Sequence, residues 1–371
     1  MFNTFCASSK LINTFTGHTE TVWSIDYSTF NDCQFICSGS WDKTVRVWDV
    51  DNNKQVQSFD GHSGYVYCVK FSSYHYRNYH QNIICSSSYD RTIRFWDFKH
   101  NTQLQTFNKH TNSVYCIEVS SFSSGRYLCS GSGDNSIRLW DLETSKSLYC
   151  INGHENNVRC IAISPLQIGN HQINNIGVIG GNGYTICSGS SDKTIRIWDI
   201  EKAKQFRLWD IRSGKQIQLF NGHKRWVYDV EYSSFVINDT IGNSNVICSG
   251  STDNTIRFWD IRSNKNELFM IKGDDTENDG IICLKFIELK AKENKKNQTY
   301  YMNLCYDVLF HITLFKKFKK LRSIFFKNFK RAGEHVNFTR LNFQKKKVLK
   351  YWKIKVLCEK KNSILDGKTL E

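Results

Sequence analysis

A single proline in 371 residues excludes a proline-rich linker or a polyproline scaffold. No run of about 18 or more apolar residues occurs, so no transmembrane helix is expected. The opening Met1-Phe2-Asn3-Thr4-Phe5-Cys6 has neither a basic region nor an apolar core, and no signal peptide is expected. There is no Cys-x-x-Cys and no Cys/His cluster at zinc spacing. A Gly-rich phosphate loop and a nucleophile elbow are also missing, so the usual marks of phosphotransferases and hydrolases are not here. What remains is a globular composition, with 40% hydrophobic and 23% charged residues.

The net charge of +15 is concentrated at one end. Residues 290–371 hold 22 Lys/Arg against 6 Asp/Glu, a net of +16, whereas residues 1–289 hold 28 against 29, a net of −1. The basic character is a property of the tail, not of the body. The fourteen cysteines are also patterned. Cys37, Cys85, Cys129, Cys187 and Cys248 share one position, and Cys68, Cys116 and Cys160 share another. Used this way, cysteine is a small strand hydrophobe in a reduced, intracellular chain.

The positions recur because the sequence repeats. Five segments run from a His to a Trp-Asp: His18 to Trp48, His62 to Trp96, His110 to Trp140, His154 to Trp198, and His223 to Trp259. Their spacings are 30, 34, 30, 44 and 36 residues. Gly precedes the His in four of them, and a Ser-x-Ser-x-Asp element ends six residues before each Trp. Between these marks lie short period-two runs such as Val22–Tyr27, Phe35–Ser38, Thr44–Trp48 and Gln55–Phe59, separated by Ser, Gly, Asp and Asn. Each unit therefore reads as four strands.

The shared residues and spacing resemble the WD40-repeat (G-protein beta-like) family, whose units are blades of a β-propeller. The resemblance implies an all-β propeller of five clear blades and one degraded blade, followed by a basic tail with some helical spacing. The propeller is expected over 11–289, after an N-terminal segment 1–10. Its repeats fall at about 11–50, 55–98, 103–142, 147–200 and 216–262, with a degraded unit at 267–289 and a divergent tail at 290–371. It also implies one buried hydrogen-bonded tetrad per blade. These are His18, Ser38, Asp42 and Trp48; His62, Ser86, Asp90 and Trp96; His110, Ser130, Asp134 and Trp140; His154, Ser188, Asp192 and Trp198; and His223, Ser249, Asp253 and Trp259. Ser, His and Asp together also suggest a hydrolase triad. Five copies, each tied to a Trp, favour architecture over catalysis.

The pattern breaks in three places. An insertion at 166–183 reads as a surface loop. Ile197–Ile200 is echoed by Leu208–Ile211, placing 11 extra residues between two intact halves. After Ile271, Gly273-Asp274 replaces Gly-His, and no further Trp-Asp follows. An open or imperfectly closed ring of six units is the expectation. Leu304, Val308, Phe315, Phe318, Leu321 and Phe325 have helical spacing beside Lys316–Lys320. Nucleic acid or membrane binding, if any, is expected only through 290–371.

The family resemblance places the working surface on the top rim, around the central channel. The candidate rim residues are Trp23, Trp41, Tyr65, Tyr67, Tyr89, Tyr115, Arg159, Trp226 and Tyr228. Trp, Tyr and Arg dominate binding hot spots, and a ring cage can hold a cation. Blades one, two and five carry most of these rings, and blade five meets blade one only if the degraded sixth unit keeps the ring tight. Asp253, Trp259, Asp260 and Arg262 further resemble the box of cullin-4 ubiquitin-ligase receptors, with Arg262 as the adaptor contact. The expected function is a non-enzymatic scaffold for proteins or peptides, with no cofactor, metal or small-molecule substrate. The expected compartment is the cytoplasm, with the nucleus as an alternative.

Overall fold

The computed structural model describes residues 14–120, 123–164, 185–199, 216–232, 246–261, 267–273, 280–290, 300–308 and 311–314. Blade one is β1 (Val22–Phe30), β2 (Cys33–Ser40), β3 (Val45–Asp49) and β4 (Lys54–Phe59). Blade two is β5 (Val66–Phe71), β6 (Ile83–Ser88), β7 (Ile93–Asp97) and β8 (Thr102–Phe107). Blade three is β9 (Val114–Val119), β10 (Tyr127–Ser132), β11 (Ser136–Asp141) and β12 (Lys146–Asn152). Blade four is β13 (Val158–Ile163), β14 (Thr185–Ser190), β15 (Thr194–Asp199) and β16 (Gln216–Asn221). Blade five is β17 (Val227–Tyr232), β18 (Val246–Ser251), β19 (Thr255–Asp260) and β20 (Phe269–Lys272). A sixth sheet has three described strands, β21 (Ile281–Lys290), β22 (Tyr300–Val308) and β23 (His311–Leu314). Every sheet is an antiparallel meander in chain order.

The sixth sheet differs from expectation in two ways. It runs to Leu314, past the boundary read at 289/290, while β20 closes blade five. Leu304 and Val308 lie on a strand, not on a helix, because β21 offers a full antiparallel ladder, with Phe286 opposite Leu304 and Ile281 opposite Val308. The other residues of the helical spacing, Phe315 to Phe325, lie outside the described residues. The same holds for the insertion at 166–183, for Leu208–Ile211 and for Arg262. The longer second repeat has a local cause: a short helix α1 (Ser73–Tyr79) between β5 and β6, ended by His80 in the left-handed conformation.

The core lies between blades, not within them. The shared cysteines Cys37, Cys85, Cys129, Cys187 and Cys248 are all 0% exposed, and burial pushes their thiols up. Each inner strand sets two apolar side chains on the preceding blade. A Cβ on Gly39 would come within 2.6 Å of Val66, and one on Gly189 within 2.6 Å of Val227, so glycine permits the close stacking. The outer strands add rings to the next blade's Trp: Phe59 on Trp96, Phe107 on Trp140 and Phe220 on Trp259. Phe15 takes the same place on Trp48.

β1 is the exception to this stacking. Ile25 is 49% exposed and Tyr27 53%, whereas Val69, Ile117, Ile161, Val230 and Leu284 at the Ile25 position are all 7% exposed or less. Blade one thus presents the face that every later blade covers.

Candidate functional site

The five tetrads share one hydrogen-bond design. In blade three, Trp140 Nε1 donates to Ser130 Oγ at 2.8 Å, His110 Nε2 lies 2.7 Å from the same oxygen, and His110 Nδ1 lies 2.8 Å from Asp134. The other four groups repeat this within 2.7–3.0 Å. A carboxylate only accepts, so the His proton is on Nδ1 and the Ser hydroxyl donates to Nε2. Burial holds His62 and His154 below the ordinary histidine range, which keeps them neutral. Burial opposes ionisation of the five aspartates, yet hydrogen bonds from His and from Thr or Ser hold them well below the usual carboxylate range.

This arrangement contains the Ser-His-Asp order of a hydrolase, but each Ser is at most 1% exposed and already accepts an indole N–H. None of the five offers its oxygen to a substrate. The sequence reading missed a fifth member. Thr44, Thr92, Ser136, Thr194 and Thr255 donate to the tetrad Asp at 2.5–2.7 Å. Their constant offset, two residues after each Asp, was the available signal.

The rim is built by two backbone devices. The register of the inner strand slips by one residue at Trp23, Tyr67, Tyr115, Arg159 and Tyr228. Each is the extra residue of a β-bulge, which re-aims a side chain out of the sheet. In the turn between the second and third strands, the N–H of Trp41 donates to Thr21 O, that of Tyr89 to Tyr65 O, and that of Thr252 to Trp226 O. These bonds clip the turn beside the bulge.

The two devices bring all nine candidate rim residues into one unbroken series of contacts. Tyr89 meets Tyr65 at 6.0 Å, Tyr65 stacks on Trp41 at 5.4 Å, and Trp41 stacks on Trp23 at 5.3 Å. Trp23 meets Tyr67 edge-on at 6.4 Å, and Tyr67 meets Tyr115 at 5.0 Å. The Arg159 guanidinium lies 4.2 Å from the Tyr115 centroid and 5.3 Å from those of Trp226 and Tyr228. Tyr65, Tyr89 and Trp226 are 43%, 57% and 46% exposed. Blades one and five are therefore joined through blades two, three and four, because Tyr67 links Trp23 to Tyr115 and Arg159 bridges Tyr115 to Trp226. The chain's own arginine also fills the cage that these three rings could have offered to a foreign cation.

Five such repeats, each with its tetrad and bulge, match the family model described as WD domain, G-beta repeat, over residues 9–49, 53–97, 101–141, 145–199 and 214–260. The chain belongs to the WD40 family. WD40 repeats build protein-interaction scaffolds. A 55-residue stretch is 40% identical to the peroxisomal targeting signal 2 receptor of Mus musculus, covering 15% of this chain and 17% of that protein. Another match, 41% over 56 residues, is to the small ribosomal subunit protein RACK1y of Oryza sativa subsp. japonica, covering 15% of this chain and 17% of that one. Transcription initiation factor TFIID subunit 5 of Caenorhabditis elegans is 45% identical over 51 residues, covering 14% of this chain and 8% of its own. The matched stretches thus span less than a fifth of each relative.

Below the rim, the inner strands of this WD40 chain carry charges that the sequence reading did not single out. Asp26 accepts from Phe71 N at 2.8 Å and Asp229 from Leu284 N at 2.6 Å, so each carboxyl ties its strand to the next blade. Lys70 pairs with Glu118 at 2.7 Å and Lys285 with Glu231 at 2.6 Å. Among the described residues no group of three His, Cys, Asp or Glu converges as a metal site.

Burial and the neighbouring Glu231 push the Asp229 carboxyl up to about 7. The folded chain then keeps a proton that an unfolded Asp, with a pKa of about 3.9, has released. This contribution to stability is full below about pH 4 and is lost as pH rises through about 7. Asp229→Asn keeps an acceptor for Leu284 N and removes the titration. Thermal unfolding from pH 5 to 8 should show a smaller fall in Tm for Asp229→Asn than for the native chain. Equal falls would contradict this account.

Proposed function

We propose that this WD40 chain is a non-enzymatic adaptor that holds partner proteins or peptides on its top rim. The observation that carries the reading is the unbroken series of contacts from Tyr89 to Tyr228, eight rings and Arg159, in which three strongly exposed rings are linked to side chains held at bulges. Rigid, pre-packed aromatics lose little entropy on binding and bury much area, which makes them effective anchors. The repeated cysteines Cys37, Cys85, Cys129, Cys187 and Cys248 serve as buried strand hydrophobes, which supports a reducing compartment, and we propose the cytoplasm.

The test compares the full chain with a Trp41→Ala/Tyr65→Ala/Tyr89→Ala variant in affinity purification with quantitative mass spectrometry. Leu104→Ala, an exposed apolar residue on an outer strand, is the control. Partners recovered by the native chain and by the control should fall at least tenfold with the triple variant. An unchanged partner set would place binding elsewhere on the molecule.

A further inference from the structure

Arg159 occupies the bulge position that holds a ring in blades one, two, three and five, and Ile282 in the sixth sheet. Its Nε donates to the buried Ser191 Oγ at 2.8 Å, and its guanidinium lies over Tyr115 with Trp226 and Tyr228 beside it. Its Nη2 also donates to the Asn157 side-chain oxygen at 3.3 Å. These contacts fix the side chain. None neutralises it, since rings, a hydroxyl and an amide leave the positive charge in place. Among the described residues no carboxylate lies within ion-pair distance of Arg159, nor of the exposed Lys193, Lys224 and Arg225 nearby in sequence on the same two blades. Among the described residues of the loops around the tetrad His and Asp in the five blades, Lys43, Arg91, Lys109, Lys193, Lys224 and Arg225 are exposed, against Glu20, Asp60 and Glu155 outside the tetrads.

We propose that Arg159 is the receptor for a carboxylate, and that the partner segment on this rim is an acidic peptide placing an Asp or Glu side chain on the guanidinium. This rests on the top-rim reading above and adds the partner's chemistry to it. With Nε on Ser191 and one Nη2 hydrogen on the Asn157 oxygen, the planar fork keeps Nη1 and the second Nη2 hydrogen for an incoming acceptor. The three rings hold that fork in one orientation before the partner arrives, so little order is lost on binding. Lys193, Lys224, Arg225 and the other rim cations steer the acidic segment. The exposed Tyr65 and Tyr89 then take its apolar side chains.

The proposal is tested by selecting a displayed library of random dodecapeptides on the immobilised full chain at 150 mM NaCl. Affinities of the enriched peptides are then measured for the native chain, Arg159→Met, Arg159→Lys and Trp41→Ala/Tyr89→Ala. Residues 315–371 hold 18 Lys/Arg against 4 Asp/Glu and attract any acidic peptide, but they do so equally in every variant, so the differences isolate the rim. Enriched peptides should share an Asp or Glu. They should bind Arg159→Met about tenfold more weakly and Arg159→Lys with an intermediate loss. Replacing that acid by its amide should remove the difference between the native chain and Arg159→Met. A purely structural Arg159 would weaken acid and amide peptides alike, and that outcome overturns the proposal. Peptides that lose affinity with Trp41→Ala/Tyr89→Ala but bind Arg159→Met normally overturn it while leaving the top-rim reading intact. Enriched peptides indifferent to all three variants, or no enrichment, overturn both.

Discussion

Replacing Trp140 by alanine is expected to lower the unfolding free energy by about 4 kcal/mol, among the largest effects of any single substitution in this chain. The side chain is 2% exposed and lies nearly parallel to Phe107 of the preceding blade, 4.6 Å away at 9°. Its loss opens a cavity at the seam between blades two and three, where Phe95, Phe107, Val114, Ile117 and Leu128 pack. It also removes the donor to Ser130 Oγ. Ser130→Ala is the complementary change. It keeps the ring but leaves the Trp140 N–H and His110 Nε2 buried without partners, for a loss of about 2 kcal/mol. Urea unfolding of the two variants reads both values. If Trp140→Ala lost under about 1 kcal/mol, the blades would be held by their backbone ladders, and the inter-blade ring stack would be incidental.

The tetrads were legible in the sequence because buried polar groups survive only when each is paired. Five repeats of His, Ser, Asp and Trp at matched offsets, in strands of apolar alternation, leave little freedom in how they meet. The rim positions were legible through the same offsets. The route by which they join was not, because a β-bulge leaves no mark in residue type. Trp23 and Arg159 occupy the same backbone position with unrelated side chains. The Arg159 contact with Trp226 links strands whose neighbourhood depends on ring geometry, and strand periodicity reports only which face a residue takes within its own sheet.

The charges below the rim were hidden for the same reason. Asp26 and Asp229 look like ordinary polar alternation, yet each accepts a backbone N–H from the following blade. An inner strand is a sheet edge, and an edge with unpaired N–H groups needs an acceptor from a neighbouring element. The sixth sheet was obscured by composition. Without Ser-x-Ser-x-Asp or Trp-Asp, the run from Tyr300 to Val308 carries no repeat signature, and its pairing with β21 depends on backbone hydrogen bonds that any residue but proline can make.

Equivalent substitutions in blades one and two should differ sharply in cost. Val69→Asp is expected to destabilise the chain by about 4 kcal/mol, and Ile25→Asp by less than about 1 kcal/mol. Val69 is 0% exposed, and its Cγ1 would stand 2.9 Å from a Cβ on Gly39. A carboxyl there has no donor, and the dry seam forces it either to take up a proton or to part the blades. Ile25 holds the same place in its own strand, three residues after the apolar residue that begins the strand's slip, but its side chain is 49% exposed. The same strand pattern thus faces two environments, a seam in blade two and an open face in blade one. Chemical unfolding of the two variants, with far-UV circular dichroism to follow the sheets, measures the difference. Comparable losses at both positions would mean that the Ile25 face is covered in solution, and the ring would then close upon blade one.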